Sequence, residues 1–189
     1  LNINHSTIEE SAYDGIFLRD ENADQSSSLT VANSTFRNNS RTGISTQGSL
    51  GNMSLTDSTF ASNGSTGVSI SSGGTTTTVT GNTFVSNGGS GLSVNDTNVV
   101  VTNNTFTTNT SGPGSINVSG NLSLSGNTGS GGPYLLGLYG NIANSTALDP
   151  GIRYYGISYL SVAAGQTLTL PAGIVVKFSD ESSRLYLYG

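Results

Sequence analysis

The sequence holds no cysteine and no tryptophan, and only one histidine, one methionine and four prolines in 189 residues. Without cysteine there is neither disulfide stapling nor thiol redox chemistry, an absence compatible with an exported bacterial or archaeal protein. Charge is scarce too. Only 9% of the residues are Asp, Glu, Lys or Arg, and the net charge is −5. No basic patch can be assembled from six cations, which argues against nucleic-acid binding. No apolar run reaches the roughly 18 residues needed to cross a bilayer. Helical solenoids need Ala-, Leu-, Glu- and Lys-rich runs, and these are missing. At 33%, the hydrophobic content is low for a globule but workable for a solenoid whose core is one side chain wide. Neither an initiator methionine nor a signal peptide opens the chain, as expected of a mature or excised segment.

What is present is one phrase written repeatedly. It reads Val31-Ala32-Asn33-Ser34-Thr35-Phe36, then Asn39, then Gly43-Ile44. It returns as Leu55-Thr56-Asp57-Ser58-Thr59-Phe60 with Asn63 and Gly67-Val68, and as Val79-Thr80-Gly81-Asn82-Thr83-Phe84 with Asn87 and Gly91-Leu92. A further copy is Val101-Thr102-Asn103-Asn104-Thr105-Phe106 with Asn109. Weaker copies lie at Ile3 to Ile8 and Leu122 to Thr128. The anchor position is Ile8, Phe36, Phe60, Phe84, Phe106 and Gly129. A period in the twenties made of short alternating strands defines a solenoid.

Each position of the phrase has a physical reading. Apolar residues seven and five before the anchor, such as Leu29/Val31 and Val99/Val101, alternate with period 2 and predict a strand with one face inward. Three before the anchor stand His5, Asn33, Asp57, Gly81, Asn103 and Gly126, all types that tolerate positive φ, so a left-handed kink is predicted in every coil. Threonine precedes every anchor. Asn39, Asn63, Asn87 and Asn109 follow by three, and identical amides on stacked strands can bond along the stack as a ladder. Gly-apolar-x-apolar units such as Gly67-Val68-Ser69-Ile70 supply another strand per coil. The fold class expected is all-β, a right-handed parallel β-helix of about six coils over residues 1–140. Residues 141–189 are expected to be a linker and a second β-rich unit. That unit either begins a further β-helix or closes the first, and it is expected to continue beyond the segment, because no polar cap is evident at either end.

Residues 1 to about 140 resemble the parallel β-helix repeats of pectin-lyase-like proteins and of large microbial surface proteins, whose usual wording is Val-x-x-Asn-x-Thr-Phe-x-x-Asn-x-x-x-Gly-Leu. The stretch Leu160 to Phe178 resembles the opening unit of a further β-helix in the same surface proteins. The resemblance implies a fold. That fold hosts lyases, hydrolases, epimerases and inert stalks alike, so function has to be argued from sites.

Enzymes of this kind use converging carboxylates with a basic residue. From Thr42 to Leu148 there is no Lys or Arg, and the carboxylates are Asp57 at the kink position and Asp96 in an expected loop. No catalytic set is assigned, and His5 reads as a kink residue. The acidic run Asp20-Glu21-Asn22-Ala23-Asp24 places oxygen ligands on alternate residues, so Asp20, Asn22 and Asp24 are the candidate Ca²⁺ ligands. Gln25 stands where a calcium loop has Gly, and Val31 where it has Glu. Glu9 and Arg37 share a repeat position in consecutive coils and predict an exposed ion pair. An ice-binding surface would need a second Thr row, and its companion positions (Glu9, Arg37, Ala61, Val85) do not supply one. Asn-x-Ser/Thr sequons are frequent, among them Asn33, Asn63, Asn95 and Asn109, so a glycoprotein is compatible. Seven tyrosines, Tyr134 to Tyr188, gather in the last third, where sugars could stack. The expectation is a non-catalytic structural or adhesive segment of a secreted or cell-surface protein. It would associate end to end with neighbouring β-helix units or identical subunits. The alternative is a carbohydrate-active enzyme or carbohydrate-binding module.

Overall fold

The computed structural model describes residues 1–21, 27–72, 75–130 and 135–188. Three parallel sheets wind along one axis as a β-solenoid of about seven turns. The first sheet stacks Asn2–Asn4, Leu29–Ala32, Met53–Thr56, Thr76–Thr80, Asn98–Thr102 and Leu122–Ser125 in chain order. The second stacks the short Thr-Phe strands, from Thr7–Glu9 through Thr83–Val85 to Thr128–Ser130. The third runs longest. It begins at Ile16–Arg19 and passes through Leu92–Asp96, Leu136–Ile142 and Tyr154–Val162. Along that last, long strand Val175–Phe178 and Arg184–Leu187 are laid end to end, the first against residues 154–157 and the second against residues 159–162.

Register follows the repeat. Phe36, Phe60, Phe84 and Phe106 pair in the second sheet with no slip. Their rings stack at centroid distances of 5.2, 5.1 and 5.0 Å and are buried. Period-2 alternation sends Leu29/Val31, Met53/Leu55, Thr77/Val79 and Val99/Val101 inward, where they meet the third sheet's Ile44, Val68, Leu92 and Ile116. The division expected at residue 140 falls inside the strand Leu136–Ile142, and the later segment continues the same third sheet.

The kinks lie where residue type placed them. His5, Asn33, Asp57, Gly81, Asn103 and Gly126 all have φ between 48° and 71°. At Gly81 a side chain would meet a second obstacle, because a Cβ there would sit 2.3 Å from Asp57 Oδ1 of the preceding coil. Gly81→Val is therefore expected to cost about 1–3 kcal/mol, combining branched-residue strain at positive φ with that collision. Urea unfolding of the variant measures it, and an unchanged midpoint would contradict the kink's role.

Two polar ladders run inside the solenoid. The expected one links Asn39, Asn63, Asn87 and Asn109, each Nδ2 donating to the next Oδ1 at 2.9, 3.0 and 2.8 Å. The second Nδ2 hydrogen of Asn63, Asn87 and Asn109 goes back to the carbonyl of Phe36, Phe60 and Phe84. A second ladder, beyond the expected one, uses the residue two before the anchor. Ser34 N–H donates to Ser58, Ser58 N–H to Asn82, and Asn82 bonds Asn104, which bonds Asn127. Asp149 then ends the series. Asp96 also differs from expectation. It closes the strand Leu92–Asp96 rather than lying in a loop, and it turns inward. There its carboxylate accepts from Thr75 N–H at 3.0 Å and from the hydroxyl of buried Thr77 at 2.8 Å.

Candidate functional site

Of the three candidate calcium ligands, Asn22 and Asp24 lie outside the described residues. Asp20 directly follows the third-sheet strand Ile16–Arg19, is buried, and donates its backbone N–H to Gln47 O. Glu9 and Arg37 form the expected cross-coil pair at 2.5 Å on the exposed outer face, and this contact raises the guanidinium pKa. Of the sequon asparagines, Asn63 and Asn109 have their amides buried in the ladder, whereas Asn33 and Asn95 stand on the surface.

The chemically densest region is the junction where the Thr-Phe repeat stops, built by the segment Asp149 to Tyr155. The anchor of the sixth coil is Gly129, which pairs with Phe106 and carries no ring. Ile152 of the next turn comes in over it, and a Cβ at Gly129 would lie 3.1 Å from Ile152 Cδ1. Beside that contact a cavity of about 140 Å³ remains. Phe106, Pro113 and Ile152 are its buried walls, and Thr108, Ser130 and Arg153 its exposed rim. Tyr154 completes the lining, with Arg153 Cζ 5.3 Å and Lys177 Nζ 5.2 Å from its ring centroid.

Beneath this rim Asp149 is buried. Its Oδ2 accepts from Asn127 N–H at 2.6 Å and Asn127 Nδ2 at 2.9 Å, and its Oδ1 accepts from Gly151 N–H at 3.0 Å. The first ladder ends on an amide, Asn109, whereas this one ends on the Asp149 carboxyl, whose two oxygens accept from Asn127 and from the turn at Gly151. Tyr155 locks the turn. Its hydroxyl donates to Asp149 O at 3.0 Å and accepts from Asp149 N–H at 2.9 Å. Burial pushes the phenol's pKa well up, outweighing the backbone hydrogen bond that lowers it. A raised folded-state pKa makes this contribution complete below the ordinary tyrosine value of about 10 and lost as pH climbs through the folded value. The melting temperature is expected to fall above about pH 10, and less steeply in Tyr155→Phe. Identical alkaline slopes for the two proteins would contradict the assignment.

The remaining described tyrosines of the last third are mostly surface groups, and Tyr134 lies outside the described residues. Tyr159, Tyr186 and Tyr188 are exposed on the outside of the third sheet, with centroids 5.1 Å apart for the first pair and 6.4 Å for the second. Tyr155 fills core. The sequence could not separate these roles, because the strand pattern around residues 154–162 carries an irregular register between Leu138 and Gly140 that reassigns inward and outward positions.

Parallel sheets, stacked anchors and internal amide ladders define the parallel β-solenoid class. Residues 1–160 match the family described as the right-handed beta helix region, and the chain belongs to that family. No curated protein and no solved structure matches it.

Proposed function

We propose that this chain is a non-catalytic structural or adhesive β-helix segment of a secreted or cell-surface protein, joined end to end with neighbouring coils. The observation that supports the reading is how the middle coils use their interior polar side chains: those from Asn39 to Asn109 and from Asn82 to Asp149 are spent on holding adjacent coils together. Parallel coils add to one another through strand-edge N–H and C=O groups, so a neighbouring unit can be joined in the same way. Phe178 and Leu187, which continue the inward columns of Ile157 and Val162, are exposed at 54% and 68% and offer such a neighbour an apolar contact. An extracellular setting fits the cysteine-free, Ser/Thr/Asn-rich surface.

Sedimentation velocity over a concentration series tests this. The chain is expected to associate with rising concentration, and Phe178→Lys together with Ile8→Lys to weaken that association at least about tenfold, the scale of burying one charge at an apolar contact. A strictly monomeric chain that also cleaves a polysaccharide, with activity lost on Asp57→Asn, would replace this reading with an enzyme. A second reading, carbohydrate binding, draws on the exposed Tyr159, Tyr186 and Tyr188. Binding on a glycan array that Tyr186→Ala removes would support it.

A further inference from the structure

We infer that the cavity at the end of the phenylalanine stack is a binding site for a single planar aromatic ring carrying a carboxylate. The stack explains why a space lies here. Phe84 and Phe106 each press against the glycine of the preceding coil. A Cβ at Gly67 would lie 3.0 Å from Phe84 Cδ1, and one at Gly91 only 2.7 Å from Phe106 Cδ1. The residue that follows Gly67 and Gly91 in this column is Pro113. The ring that would press on Pro113 belongs at position 129, where glycine stands, and a Cβ there would sit 3.7 Å from Pro113 Cγ. The open volume of about 140 Å³ beside Phe106 and Pro113 is thus the place of a fifth ring, narrowed by Ile152.

The rim supplies the second half of the specificity. Arg153 lines the mouth, and Lys177 lies over the same Tyr154 ring. The stretch from Thr42 to Leu148 holds no Lys or Arg, so the positive corner is local to this mouth. No carboxylate is among the described lining residues, and Thr108 and Ser130 add neutral hydrogen-bonding groups. A ring lying against Phe106 with its carboxylate toward Arg153 meets apolar walls and a cation together.

The test is titration of the whole chain with benzoate, benzyl alcohol and benzylamine, followed by NMR and by the melting temperature. Benzoate is expected to bind best and to shift the resonances of Thr108, Ser130 and Ile152. Arg153→Gln is expected to weaken benzoate about tenfold while leaving benzyl alcohol unchanged, the loss of one charge-assisted bond. Gly129→Phe places the missing ring and should abolish binding of all three. Because Ile152 has to give way there, Ile152→Phe is a second filling variant, and either one that folds gives the reading. Benzoate binding that is unchanged in a folded filling variant, or that shifts only distant resonances, overturns the site. Benzylamine binding as well as benzoate overturns the assignment of an anion.

Discussion

Phe84→Ala is expected to lower the unfolding free energy by about 3–5 kcal/mol. The ring is fully buried and lies between Phe60 at 5.1 Å and Phe106 at 5.0 Å. Its removal opens a space whose walls cannot close. Thr83, Phe84 and Val85 are paired residue for residue with the strands above and below, so the coil spacing is set by backbone hydrogen bonds. Two ring–ring contacts, worth about 0.5–1.5 kcal/mol each, are lost as well. Phe106→Ala is expected to cost less, because one side of Phe106 already faces the cavity beside Gly129. Urea unfolding of the two variants checks the ranking. A loss below about 1 kcal/mol for Phe84, or the reverse order, would show that the stack is not the main core element.

Positions that admit few residue types are legible in the sequence alone. A left-handed kink accepts Asn, Asp, His or Gly, so the column from His5 to Gly126 announces itself, as do the Phe anchors and the Asn39 ladder. A second left-handed position, at Glu10, Asn38, Ser62, Ser86 and Thr108, does not. Its residue types are mixed, so no column announces it, although its backbone bonds to the next coil, such as Ser62 N–H to Val85 O and Ser86 N–H to Thr107 O, match those of the first kink, such as Asp57 N–H to Thr80 O. The Ser34-to-Asn127 ladder is spelled out in the repeat, but Ser and Asn beside a kink suit a turn equally well. Its final member, Asp149, is hidden further, since Asp149-Pro150-Gly151 is also a turn and the repeat phrase has dissolved by then. The cavity has no sequence signal, because a missing ring at Gly129 says nothing of whether Ile152, far along the chain, returns to fill it. The third-sheet continuation past residue 140 is obscured by the loss of Thr-Phe anchors, although sheet pairing persists without them.

Asn104→Leu is expected to destabilise the fold on the order of 3–5 kcal/mol, almost entirely through polar groups left behind. The two side chains have similar volume, so little cavity term enters. Asn104 is buried, and its Oδ1 accepts from Asn82 N–H at 2.9 Å and Asn82 Nδ2 at 3.1 Å. A backbone N–H can only point at an acceptor, which fixes the amide with its oxygen toward the preceding coil. Its Nδ2 then donates to Val79 O at 2.8 Å, to Asn127 Oδ1 at 3.0 Å and, sharing a hydrogen, to Thr102 O at 3.0 Å. Leucine leaves Asn82 N–H and Val79 O facing apolar atoms, at about 1–3 kcal/mol per buried group. Asn104→Asp keeps the acceptor for Asn82 but turns a carboxylate toward Val79 O and Asn127 Oδ1. Burial then favours its neutral form, so that variant is expected to be more stable in acid and to lose stability as pH rises through the raised folded-state pKa. Asn82→Leu combined with Asn104→Leu removes both partners of one link. The pair is therefore expected to cost less than the sum of the single variants in urea unfolding. Strict additivity, or an Asn104→Leu protein as stable as the parent, would mean that the ladder bonds are exchanged for water without loss and do not hold the coils together.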